Sequence, residues 1–373
     1  MNKVPILLLL APIALTAAAR QDPGTVVNKG FDLTDPVTKK PSSRIVEFTD
    51  KLSPPKLSPK SFGTPPKQWS FDWRTASYGM ENGQQNLKFV VFSQERSPSS
   101  DRATKVARML SRLWEYNYGT LKMDHSTMFG NGRVDVYLCW GGKAGGEQLF
   151  DEDGQYGGRA EKVNTIYLYD LNSFTGPVEM AREVAHEYGH ATLSPIGGYT
   201  EPEYWANGYL GERLFLKHIE AMMEKGLLGP EDAMDATAPQ LKAWLGENVD
   251  PLVARAASSG PNMAELRDKS KDGMDAYMGL ALYIDTLFPE RVFGRSMEMV
   301  GSNDAKDYPD SIVFAAEEPD SYTLKIPSYL AGKPIWIPFG GKVTMTGATI
   351  ARKSGDWALI RPGTGPVTLV NHH

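Results

Sequence analysis

The segment from Pro177 to Pro195 constrains the fold more than any other part of the sequence. Its apolar residues recur at helical spacing and form one face, at Ala181, Val184, Ala185 and Tyr188. Proline is favoured in the first turn of a helix and stops a helix that reaches it. The sequence therefore predicts a single amphipathic helix between the two prolines, with one face covering a core.

This predicted helix contains His186-Glu187-Tyr188-Gly189-His190, which fits the pattern H-E-x-x-H. Residues four apart share a helix face, so both imidazoles can bind one Zn²⁺ at about 2.0–2.1 Å and leave positions for a third ligand and a water. Glu187 can act as general base on that water. The alternative is two solvated histidines beside an ordinary surface charge. The strand and helix context favours the metal site.

The remaining pattern indicates an α+β fold. Apolar and β-branched runs predict strands at 87–92, 134–140 and 165–169, and a glycine-rich loop is expected at 141–158. Helical spacing predicts helices at 101–118, 177–193 and about 202–225, with mostly helical sequence to about 300. From Ser321 short alternating segments separated by Gly and Pro predict a small β module.

Four parts follow from these patterns. We expect a signal peptide at 1–19, a proline-rich linker at 20–68, a catalytic domain at 69–305 and the β module at 306–373. The first part has a lysine, a short apolar run and small residues at its end, which is typical of a secretory signal and too short to span a membrane. The protein is therefore expected to be exported, to a periplasm or outside the cell.

The composition restricts the classes of partner that the protein can bind. The 40 Lys+Arg against 45 Asp+Glu give a formal charge of −5, which excludes a strongly basic nucleic-acid-binding protein. The single cysteine, Cys139, excludes a disulfide within the chain and is expected to be a buried thiol. So few cysteines in an exported chain favour a bacterial setting. No segment after the signal is long and apolar enough to span a membrane.

On His186, Glu187 and His190 the chain resembles the gluzincin metallopeptidases, which include thermolysin and the aminopeptidase-N-like enzymes. The resemblance covers roughly residues 87–300. It implies a zincin-like catalytic core, in which a mixed sheet with the active-site helix is followed by a helical subdomain. It also implies that the two histidines bind Zn²⁺, that Glu187 is the general base, and that the substrate is a peptide or protein.

The family's third zinc ligand is a Glu on the next helix. Trp205-Ala206-Asn207-Gly208 is similar to the aminopeptidase W-x-N-E-G segment, with Gly208 at the position of the ligand Glu. Glu203 and Glu212 lie nine residues apart on the predicted helix, hence on opposite faces, so only one can face the metal. We expect Glu212, which shares a face with Gly208. Glu203 is the alternative, although with Thr200 it also fits a capping box.

The resemblance implies two further features. Tyr277-Met278-Gly279 is similar to the helix whose Tyr stabilises the oxyanion, so Tyr277 is expected in that role, with Tyr283 and His218 as alternatives. An exposed edge strand before the active helix pairs with the substrate in this family, and we assign it to 163–169. Gly145-Gly146-Glu147-Gln148 is similar to the aminopeptidase G-x-M-E-N loop but lacks its Met and Asn, so a flexible loop is expected there.

The sequence thus predicts an exported zinc metallopeptidase that hydrolyses peptide bonds by Glu-assisted attack of water. The alternative is a catalytically silent, zincin-fold binding or scaffold protein, for which Gly208 and the altered spacing after Tyr277 are the arguments. The two hypotheses differ in whether Glu212 or Glu203 lies within reach of the histidines.

Overall fold

The computed structural model describes residues 25–26, 30–49, 73–93, 99–123, 132–139, 142–153 and 162–373. The expected signal peptide and the prolines between positions 54 and 66 lie outside the described residues. The strands are β1 Thr25–Val26, β2 Phe31–Thr34, β3 Pro41–Thr49, β4 Trp73–Glu81, β5 Gln84–Ser93, β6 Val134–Leu138, β7 Gly145–Asp153, β8 Lys162–Tyr169, β9 Ser321–Thr323, β10 Ile335–Pro338, β11 Val343–Thr346, β12 Ala348–Ser354, β13 Trp357–Pro362 and β14 Thr368–Asn371. The helices are α1 Ser99–Glu115, α2 Pro177–Thr192, α3 Asn207–Glu224, α4 Ala238–Asn248, α5 Asp250–Ser259, α6 Met263–Arg267, α7 Lys271–Leu287, α8 Glu290–Met299 and α9 Tyr308–Glu317.

A mixed eight-stranded sheet forms the first half of the fold. Its order is β1-β3-β4-β5-β6-β8-β7, with β2 paired to β3. The central pairs β5–β6 and β6–β8 are parallel, and the outer pairs are antiparallel. Helices α1 and α2 pack on one face of this sheet, and the later helices extend the same core. The expected α+β class with a mixed sheet is confirmed.

The expected linker at 20–68 is wrong for its described part. Residues 31–49 form β2 and β3, and β3 pairs along most of its length with β4 of the main sheet. Pro41 is tolerated because it stands at the first position of β3. Between the strands, the Asp35 carboxylate accepts the backbone N–H groups of Val37 and Thr38 and fixes a turn.

Two expectations about the sheet edge are also wrong. The glycine-rich stretch at 141–158 is not a loop throughout, because Gly145–Asp153 forms β7. The segment 163–169 belongs to β8, which lies between β6 and β7 and so has no free edge. At this end of the described sheet, the terminal strand is β7. The edge that precedes the H-E-x-x-H helix is therefore built from the glycine-rich residues.

The C-terminal β segment forms two three-stranded antiparallel sheets, of order β10-β13-β12 and β11-β14-β9. The boundary expected at 306 does not separate two cores, because buried residues of these strands join the core of the helices. One direct link is the hydroxyl of Tyr283, which donates to the carbonyl of Trp336 at 2.6 Å. Cys139 is buried, as expected. Among the described helices, none is both long and apolar enough to cross a membrane.

Candidate metal and catalytic site

The H-E-x-x-H residues lie in the C-terminal half of helix α2. Ala181, Val184, Ala185 and Tyr188 are buried in the core, as the apolar pattern predicts. His186 and His190 keep small exposed fractions, 13% and 14% of their side chains, because they point away from the sheet into a cavity. Helical spacing therefore places both imidazoles on one wall of that cavity.

His186, Glu187 and His190 form a buried group that could hold a metal ion, with one ligand atom from each within 4.8 Å of the others. The Nε2 atoms of the two histidines face each other at 3.1 Å. Glu203 completes the arrangement, with Oε2 at 3.3 Å from Nε2 of His186 and Oε1 at 3.4 Å from Nε2 of His190. Two imidazole nitrogens and both oxygens of one carboxylate therefore lie close together.

The orientation of His190 is set by Asn207 at the start of α3. The amide nitrogen of Asn207 donates to the carbonyls of His190 and Leu193 at 3.3 and 3.2 Å. Its Oδ1 must then accept, and it receives the Nδ1–H of His190 at 2.8 Å. Because the proton sits on Nδ1, the lone pair of Nε2 is free to bind a cation.

Glycines let α3 approach this wall closely. Gly189 of α2 and Gly211 of α3 face each other at the crossing, where a Cβ on Gly211 would lie 2.5 Å from Cα of Gly189. One turn earlier, a Cβ on Gly208 would lie 2.7 Å from Cδ2 of His186 and closer still to Nε2 of both histidines. The position where the aminopeptidase segment has a Glu is therefore too close to the imidazoles for any side chain here.

Glu212, the expected third ligand, lies behind His186 and not beside Glu203. Its Oε2 is 3.9 Å from Nδ1 of His186, whereas Glu203 approaches Nε2 of the same ring. The carboxylate is 3% exposed and is paired with Arg182 at 3.2 Å and Arg213 at 2.5 Å. Both guanidinium groups also pack over the ring of Trp244. Two arginines already neutralise this carboxylate.

The assignment to Glu212 assumed that one helix carries both candidate carboxylates. The helix begins at Asn207, five residues later than expected, and Glu203 lies in the irregular segment before it. The argument from opposite helix faces therefore does not apply. The expected capping box is also wrong, because Thr200 donates to the carbonyl of Lys269 and the Glu203 carboxylate faces the histidines.

The neighbouring histidines explain why the carboxyl group of Glu203 is ionised. Burial raises its pKa, but hydrogen bonds and charges from His186 and His190 outweigh burial and lower the pKa to about 2. The carboxylate is thus ionised at neutral pH. Once the Nε2 protons are released, this carboxylate and the two imidazole lone pairs form a donor set that suits a divalent cation.

Glu187 is buried below the same cavity. It is 3% exposed, and its Oε2 has no hydrogen-bond partner among the described residues. Burial raises its pKa well above the usual value. The strand β7 lies directly against it, since a Cβ on Gly146 would be 2.5 Å from Cδ of Glu187. A cation held by the histidines would favour the ionised form of this carboxyl group.

The cavity has a volume of about 590 Å³ and is bounded by β7, α2 and the start of α3. Two tyrosines line it, Tyr204 and Tyr209, and the ring of Tyr209 lies edge-on to His186 with centroids 4.8 Å apart. Neither was a sequence candidate. The available signal was their position in the chain, since Tyr204 directly follows Glu203 and Tyr209 directly follows Gly208.

The structure does not bring Tyr277 to the histidines. Its side chain is fully buried in α7, with the hydroxyl 3.8 Å from Sδ of Met297 and the ring against Tyr308. Its alternatives are also elsewhere. Tyr283 donates to the C-terminal strands, and His218 stacks on Tyr116.

The separations of the nearest donor atoms are of the size expected around a bound metal ion. Two ligand atoms that each lie about 2.0–2.1 Å from a tetrahedral zinc ion are roughly 3.3 Å apart. The two Nε2 atoms are 3.1 Å apart, and each lies near a different oxygen of Glu203, at 3.3 Å for His186 and 3.4 Å for His190. With the unpartnered Glu187 oxygen beside them, these residues fit a metal site. No protein-family model matches the sequence, and a comparison with curated proteins finds no match.

Proposed function

We propose that the protein is an exported zinc metallopeptidase of gluzincin type, in which His186, His190 and Glu203 hold the metal. The observation that carries the proposal is that the two Nε2 atoms lie 3.1 Å apart and each lies within 3.4 Å of an oxygen of the Glu203 carboxylate. Glu203 replaces Glu212 in the ligand set, and the mixed sheet with helix α2 supports a zincin-like core. Bound zinc supplies Lewis acidity toward a substrate carbonyl.

The chain's own residues supply proton transfer. Glu187 lies beside His186 and His190 and has an oxygen without a hydrogen-bond partner in the described part of the chain. In the proposed reaction Oε2 of Glu187 takes a proton from the attacking water and passes it to the nitrogen of the leaving amine. Burial of Glu187 excludes bulk water from that carboxylate, so the proton stays available for the leaving group.

Strand β7 supports a peptide substrate. It is one of the two terminal strands of the described sheet, and its Gly146 lies against Glu187. An extended peptide can add to such an edge through main-chain hydrogen bonds. The main chain of the substrate would then pass directly over the proposed general base.

The silent scaffold hypothesis predicts that neither candidate carboxylate reaches the histidines. Glu203 reaches both, which favours the enzyme. A structural metal site also gains nothing from an additional buried carboxylate such as Glu187, because burial of a charge costs free energy.

The test compares zinc content and peptide hydrolysis in four proteins. Wild type should bind about one zinc per chain, as expected for a single three-ligand site. Glu203→Gln should lose zinc, whereas Glu212→Gln should keep it with an affinity lowered by about tenfold, the usual effect of a residue behind a ligand. Glu187→Gln should keep zinc and lose hydrolysis.

The outcomes separate the hypotheses. Zinc retained in Glu203→Gln but lost in Glu212→Gln would restore Glu212 as the ligand. Zinc bound by wild type with no hydrolysis of any peptide would leave the scaffold. Circular dichroism of each variant checks that a lost metal does not reflect a lost fold.

A further inference from the structure

Strand β12 is an exposed edge of the C-terminal β segment. It ends the sheet of order β10-β13-β12, and no strand of the described chain pairs with its other side. Every residue from Thr349 to Ser354 is exposed, whereas all four residues of β10, at the opposite edge, are buried. The backbone N–H and C=O groups of an unpaired edge can pair with one further strand. Another extended polypeptide can therefore be added at β12.

The charge of this β segment is opposite to that of the whole chain. Residues 321–373 contain six Lys or Arg residues and a single acidic residue, Asp356, although acidic residues outnumber basic ones in the whole chain by 45 to 40. Arg352 and Lys353 lie on β12 itself, and Arg361 lies on the neighbouring strand β13. None of these three cations has an ion pair or a side-chain hydrogen bond with a described residue. Their charges are therefore available to a partner.

The register of the sheet places the two β12 cations on opposite faces. Arg352 and Lys353 pair with successive residues of β13, and successive residues of a strand point to opposite faces. Each cation also lies over an aromatic ring. The guanidinium of Arg352 is 4.9 Å from the ring centre of Trp336, and the ammonium of Lys353 is 4.5 Å from that of Phe339. Attraction to these rings holds both side chains beside the open edge.

We infer that β12 binds an extended acidic segment of a partner polypeptide, which adds to this sheet as a fourth strand. Main-chain hydrogen bonds hold the segment, and two successive acidic residues lie beside Arg352 and Lys353, one on each face. A lipid surface or a polysaccharide can meet the charges but cannot continue the sheet. The inference does not depend on zinc, because no residue of β12 lines the cavity of the proposed zinc site.

A second copy of this chain fits the same edge poorly. Two β12 strands side by side would bring Arg352 and Lys353 of one copy close to the same cations of the other, and like charges across a strand pair are destabilising. Cations on an edge strand are a means by which proteins avoid such pairing. The charges therefore favour a different, acidic chain as the occupant.

Fluorescence anisotropy with the whole protein tests the inference, with a chelator present so that no peptide is hydrolysed. One labelled peptide, blocked at both ends and about eight residues long, a usual strand length, contains two successive Glu residues among Thr and Val. The matched peptide contains two Gln residues instead. Wild type should bind the Glu peptide about tenfold more tightly, the effect of two charge pairs between neighbouring strands. The Glu peptide with alternate main-chain nitrogens methylated should not bind, because its edge cannot donate hydrogen bonds.

Charge reversal on β12 should change the preferred peptide. Lys353→Glu should lose most of the preference for Glu, and the double variant Arg352→Glu, Lys353→Glu should bind a peptide with two successive Lys residues instead. The matched control is Lys333→Glu, because Lys333 is also exposed and has no described ion pair but precedes β10 at the opposite edge of the sheet. It should bind the Glu peptide as wild type does. Circular dichroism checks that each variant is folded.

Four results would overturn the inference. They are equal binding of the Glu and Gln peptides, equal losses in Lys353→Glu and Lys333→Glu, undiminished binding of the methylated peptide, and no binding of any peptide. The last result would leave the β12 cations only the role of preventing pairing between copies. Sedimentation tests the other occupant, since a wild-type dimer that the double variant lacks would assign the edge to a second copy and contradict an acidic partner.

Discussion

Asn207 and His190 fix each other across the junction of two helices. The Asn207 amide donates to two carbonyls at the end of α2, and its oxygen accepts the Nδ1–H of His190 at 2.8 Å. A single buried side chain therefore donates hydrogen bonds to carbonyl groups at the end of one helix and also selects the tautomer of a proposed metal ligand. Stability and metal affinity are therefore both expected to depend on this residue, through different atoms.

Two substitutions of Asn207 should separate these effects. Asn207→Ala removes all three hydrogen bonds and should lower the free energy of unfolding by about 2–4 kcal/mol and zinc affinity by 10–100-fold. Asn207→Asp still accepts from His190 but cannot donate to the two carbonyls. It should lose comparable stability and keep zinc affinity near that of wild type.

Urea denaturation of the metal-free variants and zinc titration of the folded variants measure the two quantities. Equal losses of zinc affinity in Asn207→Ala and Asn207→Asp would contradict the role assigned to the amide oxygen.

Gly208 should not tolerate even a methyl group. A Cβ there would overlap Nε2 of His186 and of His190, the two atoms proposed to bind zinc. Gly208→Ala should therefore lose zinc, although alanine favours the helix by up to about 1 kcal/mol. The matched control is Gly246→Ala on α4, where a Cβ meets nothing within 4 Å. Zinc bound by Gly208→Ala as by wild type would show that the histidines do not converge at this point.

Local patterns predicted the parts of the site that lie on one helix. Helix α2 starts at the predicted Pro177 and ends one residue before the predicted position, so the shared face of His186 and His190 follows from spacing alone. The proposed third ligand, Glu203, could not be predicted in this way. Its identity depends on where α3 begins, and helix starts are the least reliable part of a sequence pattern.

Contacts with other parts of the chain explain the other incorrect predictions. The sequence of Gly145–Asp153 does not show that this segment pairs with β8. Its glycines favour a loop, and the hydrogen bonds of a strand depend on a partner strand outside the segment. Tyr277 has the residue type and helical context of an oxyanion donor. Its burial against Met297 and Tyr308 comes from the packing of α7, α8 and α9, which sequence spacing does not specify.

Gly146 should control the position of the Glu187 carboxylate. A Cβ on Gly146 would lie 2.5 Å from Cδ of Glu187, and Gly146 does not have a positive φ, so alanine is acceptable to the backbone. Gly146→Ala should cost about 1–3 kcal/mol by overpacking and reduce hydrolysis, with zinc retained. Glu187→Asp shortens the side chain and should relieve the overlap in the double variant.

A double-mutant cycle on stability tests this contact without reference to activity. Gly146→Ala should destabilise wild type more than it destabilises the Glu187→Asp protein. Gly119→Ala serves as the control, since a Cβ at Gly119 meets nothing within 4 Å. Additive effects of Gly146→Ala and Glu187→Asp would mean that the strand and the carboxylate do not touch.

His218 should make the fold sensitive to mild acid. Its ring stacks on Tyr116 with centroids 3.7 Å apart, and burial lowers its pKa to about 4, although Asp285 acts in the opposite direction. The folded state therefore favours neutral His218, whereas the unfolded chain protonates near pH 6.5. Its contribution to stability is complete above that pH and is lost as the pH falls from about 6.5 to 4, by at most about 3 kcal/mol.

His218→Phe keeps an aromatic ring beside Tyr116 and removes the titration. The free energy of unfolding, measured by urea denaturation at several pH values in this window, should fall less steeply for the variant than for wild type. Because all other groups titrate in both proteins, the difference between the two curves isolates His218. Parallel curves between pH 6.5 and 4 would show that His218 is protonated as readily in the folded protein as in the unfolded chain.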